Sequence, residues 1–173
     1  MVAVLVLLLA ALAIAQKPPQ DKSKRPSPPG TADVTLKGKK ITIDYSRPYV
    51  KGRKIMGGLV PYGKVWRTGA NEATTLTTET DLDIGGANVP AGKYTLWTLP
   101  SEGTWKLIIN KQTGQWGTNY DPAQDLARVD MQKSATDHPV EQFTISFDKQ
   151  GDDAANLVLE WENTKLLVPI KAK

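Results

Sequence analysis

The chain has 173 residues, a net charge of +4, one His and no Cys. The absence of cysteine excludes disulfides, thiolate metal sites, Cys nucleophiles and a lipid-modified N-terminal cysteine, and one histidine, His138, excludes two- and three-His metal centres. A domain of this size without cross-links must rely on its core, for which roughly 140 residues suffice, and the lack of disulfides points to a bacterial envelope protein rather than a small secreted scaffold.

Met1 to Ala15, MVAVLVLLLAALAIA, is apolar and carries no charged side chain. As a helix it would reach about 22 Å, short of a roughly 30 Å hydrocarbon core. Ala13-Ile14-Ala15 supplies small residues for a cleavage site, so the segment reads as a secretory signal cut after Ala15. The expected location is periplasmic or secreted, with the membrane met only during export. The alternative is an uncleaved N-terminal anchor. Residues 16–30 are Pro-rich and basic without apolar periodicity, and read as an extended tether. They carry four bases and one acid. The remainder, residues 31–173, forms one expected domain of net charge about +1, which argues against a nucleic-acid partner.

The domain reads as strands, because apolar residues alternate and Gly or Pro breaks recur. Ile41, Ile43 and Tyr45 alternate with Thr42 and Asp44. Residues 73–80 are Thr-rich and strand-like, and Gly85-Gly86 separates two short runs as a hairpin turn. Residues 94–99 and 105–110 are the next strands. Asp121-Pro122-Ala123-Gln124 carries the cap residue, the first-turn proline and the glutamine of a helix start, sufficient for a turn or two. Phe143, Ile145 and Phe147 alternate, as do Leu157, Leu159 and Trp161, and Asn163-Thr164 reads as the turn of a terminal hairpin to residues 166–170. The expected fold is all-β: an antiparallel β-sandwich or jelly roll of about eight to eleven short strands with at most one short helix.

Charge within the domain is uneven. Residues 37–67 hold nine bases against Asp44 alone, whereas residues 68–173 hold nine bases against fifteen acids. The basic part either presents an anion-binding surface or faces the acidic strands.

The stretch from Tyr45 to Glu72, YSRPYVKGRKIMGGLVPYGKVWRTGANE, places cationic and aromatic groups on a Gly/Pro-rich segment, the composition of a recognition loop. Arg67 offers a planar fork for carboxylate or phosphate. Asn71 adds a donor and an acceptor, Glu72 a carboxylate, and Gly69 a close backbone approach. Trp66 and Arg67 point to opposite faces of a strand, so the segment also reads as a structural Arg67–Glu72 ion pair with Trp66 in the core. In residues 111–120, Trp116 between Gly114 and Gly117 reads as a stacking lid or as a plug over the sandwich end. Trp97, Trp105 and Trp161 read as core, and His138 as a surface residue. Asp81 and Asp83 lack the other ligands of a Ca²⁺ loop, and there is no P-loop or dinucleotide fingerprint. No cofactor and no metal are expected.

The strings ITIDYSRPYVKGRKIMGGLVPYGKVWRTGANEATTL, IGGANVPAGKYTLWTLP and WKLIINKQTGQWGTNYDPAQDLARV resemble the bacterial family catalogued as domain of unknown function 2911, closely over residues 27–131 and more loosely beyond. The resemblance implies an exported bacterial domain and carries no activity with it. The leading expectation is a binding module for an anionic or polyhydroxylated ligand, a small molecule or a glycan, using Arg47, Arg53, Trp66, Arg67, Asn71, Glu72 and Trp116. The second is a hydrolase or isomerase with Glu72 as general acid/base and Arg67 or Lys64 stabilising an anion. The third is a structural domain that contacts other envelope proteins, its arginines stapling loops to the sandwich.

Overall fold

The structure, a computed structural model, describes residues 21–173. The segment read as a signal peptide and the first residues of the tether lie outside the described residues. Nine strands, all antiparallel to their neighbours, form one continuous sheet. They are β1 (Pro29–Leu36), β2 (Lys39–Ser46), β3 (Thr75–Thr78), β4 (Leu82–Ile84), β5 (Ala87–Val89), β6 (Gly92–Leu99), β7 (Trp105–Asn110), β8 (Asp125–Lys149) and β9 (Ala154–Ala172). In space they run β1-β2-β3-β6-β7-β8-β9-β4-β5. The all-β, antiparallel expectation holds.

Two strands are far longer than the short strands expected. Residues 125–131 of β8 pair with β7, and the rest of β8 pairs with β9. β9 in turn pairs with β4 through Ile170 to Ala172. β8 therefore serves both parts of a sheet that folds over itself, and β9 links it to the β4–β5 hairpin. The two parts are tied where Lys37 N–H donates to the Asp152 carbonyl at 2.8 Å and where the Tyr45 hydroxyl accepts from Ile145 N at 2.9 Å and donates to Ile145 O at 3.3 Å. A large core lies between them, and a smaller cluster of Ala73, Trp97 and Ile108 is separate from it. Tyr45 and Trp66 meet Phe143 edge-on at 5.8 and 5.1 Å, and Trp66 stacks on Trp161 at 5.8 Å. Trp97, Trp105 and Trp161 are buried, as their alternation suggested.

Asn163-Thr164 is not a turn. In β9 the buried positions alternate as 155, 157, 159 and 161, with Val158 buried on the other face, then as 164, 166, 168, 170 and 172. The phase slips by one residue around Glu162, whose φ of 55° puts it in the left-handed region. This is the work of a bulge, which inserts one residue so that the strand bends while the same face stays inward. Opposite it, the β8 register shifts between Ala135 and Thr144, and Pro139 falls in that interruption, where no ladder donor is required. The Gly85-Gly86 turn does form, with φ of 56° and 91° at its two residues, the left-handed pair that a tight hairpin demands. β1 begins inside the stretch read as a tether, and residues 21–28 are packed on the domain rather than extended from it. A single 3-10 turn forms at Lys22–Lys24 and a second at Pro122–Gln124, capped by Asp121.

Candidate ligand-binding site

The connection from β2 to β3, residues 47–74, crosses one end of the sandwich. It is held by backbone bonds rather than by strands. Trp66 exchanges both hydrogen bonds with Thr98, at 2.8 and 2.9 Å. Beyond Trp66 the chain turns sharply, with φ of 53° at Thr68 and 59° at Asn71. Gly69 is required between them: a Cβ there would stand 2.9 Å from the Ser46 carbonyl. The buried Thr74 hydroxyl closes the turn on the Thr68 carbonyl at 2.7 Å. The far side of the turn zips to the 111–120 loop. Ala73 N–H donates to Gln115 O, Gly117 N–H donates to Asn71 O, and Glu72 bridges Trp116.

Most of the candidate side chains are spent within the protein. Arg47 lies across to β8, its Nε on the Phe143 carbonyl at 3.2 Å and an Nη on Thr144 Oγ1 at 2.9 Å. Arg53 is exposed but folds back on the carbonyls of Tyr49 and Val50. Trp66 packs against the core. Asn71 donates to the Ser27 carbonyl at 3.1 Å. None of these four lines a cleft with the others.

Glu72 faces a cleft of about 260 Å³ whose lining also includes Lys22, Arg25, Asp44, Tyr45 and Lys93. Its carboxylate takes both oxygens to one Arg25 Nη, at 3.0 and 2.8 Å, and meets Lys22 Nζ at 3.0 Å. Burial pushes this carboxyl up, but its own backbone N–H, Lys22 and Arg25 outweigh burial and hold it at about 2. The ion pair expected with Arg67 is therefore made instead with two bases from the stretch read as a tether. Sequence reasoning missed both, because a pairing across 47 residues leaves no local pattern.

Arg67 and Trp116 remain. The Arg67 stem lies over Gly117 so closely that a Cβ on that glycine would be 2.5 Å from Arg67 Cδ. Arg67 Nε is buried with no acceptor, and no described carboxylate pairs with its guanidinium. Trp116, the residue before Gly117, is 46% exposed. In the same loop the buried Oε1 atoms of Gln112 and Gln115 also lack donors. A buried polar atom without a partner is costly and rare, so three around one loop mark it out. The loop is pinned beyond Trp116 by Tyr120, whose ring lies 5.0 Å from Trp97 and whose hydroxyl donates to Asp125 at 2.7 Å and accepts from Arg128 at 2.9 Å. Burial and the Asp125 carboxylate push this phenol up to about 12, so it stays protonated and keeps its grip.

The acidic strands do not neutralise the basic stretch. Among the described residues, the ion pairs use Lys22, Lys24, Arg25, Lys106, Arg128, Lys165 and Lys171, and none uses a base from residues 37–67. Asp81 and Asp83 accept from Ala91 N and Gly86 N, each at 2.8 Å, and so hold turns. His138 is exposed.

Fold and loop geometry together define an antiparallel all-β domain with one long cross-braced connection over its end. The chain belongs to the family described as Protein of unknown function (DUF2911), which it matches over residues 27–170. No curated protein and no solved structure matches it.

Proposed function

We propose that the domain is an exported binding module for an acidic carbohydrate, with Arg67 and Trp116 as its contact residues. The observation that carries this reading is Arg67, whose stem lies over Gly117, whose buried Nε has no partner among the described residues, and whose neighbour Gly117 follows the exposed Trp116. A guanidinium fork fits a carboxylate by two parallel hydrogen bonds. An exposed tryptophan offers an apolar, polarisable face of the kind on which a sugar ring stacks. A sugar bearing a carboxylate satisfies both at once. Arg47, Arg53, Asn71 and Trp66 then build the scaffold and do not touch ligand.

Glu72 is poorly suited to acid–base chemistry. A general acid or base works best with a pKa near the operating pH, and this carboxyl sits at about 2 between two cations. The hydrolase or isomerase reading loses its main residue on that ground.

Calorimetric titration with oligosaccharides of a uronic acid and with their neutral counterparts tests the proposal. Binding of the acidic sugar alone is expected, with loss of at least tenfold in Arg67→Gln and in Trp116→Ala, each of which keeps the wild-type melting temperature. Equal binding by wild type and Arg67→Gln would remove the site.

A further inference from the structure

The part of the β2–β3 connection that precedes Trp66 has a different character from the part that follows it. Residues 45–71 contain no acid at all. Within them, residues 53–60 fold into a compact tip. Leu59 N–H reaches back to the Lys54 carbonyl at 3.1 Å, and Val60 N–H and Gly58 N–H both return to Ile55 O, at 2.9 and 3.1 Å. Ile55 and Val60 are buried and anchor the tip to the core. Leu59 between them is 47% exposed, one of two large apolar side chains the described domain shows to solvent. Around it in the chain stand Lys51, Arg53, Lys54 and Lys64, all exposed and none in an ion pair. One carboxylate from another element, Glu141, accepts from the backbone N–H of Lys51.

We infer that this tip docks on an anionic lipid bilayer, with Leu59 inserted among the headgroups and the four bases on lipid phosphates. Charge complementarity supports a polyanionic partner, and the apolar residue at the apex of a braced turn favours a membrane over a dissolved polymer. A bilayer offers hydrocarbon immediately beneath its charge. Juxtamembrane bases gain from such a surface, and the gain is additive over several of them. The position of the tip agrees. Pro28 O accepts from Arg47 N at 2.8 Å, so the chain enters the domain at the same end as the loop. In the alternative of an uncleaved Met1–Ala15 segment, that segment would approach the membrane from this end of the chain. The inference uses none of the atoms assigned to the sugar site and stands without it.

The cysteine-free chain allows a unique fluorescent probe. In the full chain, Leu59→Cys carries a polarity-sensitive dye at the tip. Gly151→Cys carries it at the other end of the sandwich, where a side chain has open space and the neighbouring Asp152 meets Lys37. Vesicles containing phosphatidylglycerol are expected to blue-shift the tip probe, and pure phosphatidylcholine vesicles are not. The Gly151 probe stays unshifted, and salt reverses the effect. Replacing Lys51, Arg53, Lys54 and Lys64 by Ser lowers vesicle binding about fivefold per base at low salt. An unshifted tip probe on anionic vesicles overturns the inference, as does an equal shift on neutral ones, which would assign the contact to the apolar N-terminal segment. Capture by a soluble acidic polymer without any shift on vesicles overturns it in favour of that partner.

Discussion

Removing the Tyr45 hydroxyl tests how the sandwich is closed. Ile145 spends both its N–H and its C=O on that one oxygen, at 2.9 and 3.3 Å, and the bond spans 100 residues. Tyr45 and Ile145 are both buried, so water cannot replace the hydroxyl. In Tyr45→Phe the ring keeps its edge contact with Phe143. What remains is a buried donor and a buried acceptor with nothing to bond. Leaving one such group unpaired costs about 1–3 kcal/mol, and the weak 3.3 Å arm adds little, so about 2 kcal/mol is expected. For a domain of this length that lowers the melting temperature by about 4–8 °C. Urea unfolding should show a lower midpoint with an unchanged slope, since the exposed surface does not change. Tyr94→Phe is the control, because the Tyr94 hydroxyl bonds only Pro90 O in its own turn. A Tyr45→Phe loss below about 0.5 kcal/mol, or one no larger than that of Tyr94→Phe, would refute the idea that this hydroxyl joins the two parts of the sheet.

Glu72 should make stability depend on pH. Its carboxyl is depressed from 4.5 to about 2, so its contribution is complete above the unfolded value and is lost as pH falls from about 5 towards 2. Because its side chain is 39% exposed, solvent screening reduces that contribution to about 1 kcal/mol. Urea midpoints of wild type and Glu72→Gln should differ near neutrality and converge in acid, and a constant gap would show that the Arg25 and Lys22 contacts are not responsible. Gly117→Ala should cost about 2 kcal/mol, because its Cβ would lie 2.5 Å from Arg67 Cδ and 2.7 Å from the Asn71 carbonyl; thermal unfolding checks this, and acidic-sugar binding should fall with it. Trp161→Ala, which empties the centre of the stack with Trp66 and Phe143, should cost about 3–5 kcal/mol by chemical denaturation.

Strand content was legible because burial on one face leaves a period of two, and Ile41, Ile43 and Tyr45 or Leu157, Leu159 and Trp161 show it plainly. The length of β8 and β9 was not. Asn163-Thr164 has turn composition, and nothing local distinguishes a turn from a bulge when the partner strand is unknown. The shift of apolar phase between Trp161 and Leu166 was the available signal, and it fits either. The 45–72 stretch announced itself by charge and aromatics, yet its side chains divide by partners far away in sequence: Phe143 and Thr144 for Arg47, and Ser27 for Asn71. The fork geometry of Arg67 is legible in the chain, but its lack of a partner among the described residues depends on where the fold puts each carboxylate.

The passage of β8 from one part of the sheet to the other, and the place of β9 between β8 and β4, bear on how the domain is made. The β4–β5 hairpin, near the middle of the chain, joins the rest of the sheet only through the pairing of β4 with Ile170 to Ala172. The Trp161 ring that receives Trp66 lies near the C-terminal end as well. Until those residues have been made, β1, β2, β3, β6 and β7 can pair side by side and β4 with β5, but they have nothing to close against, and their apolar face stays bare. Closure of the two parts is thus deferred until β8 and β9 have been made. Until then the apolar face of the first strands is accessible to any escort the chain meets.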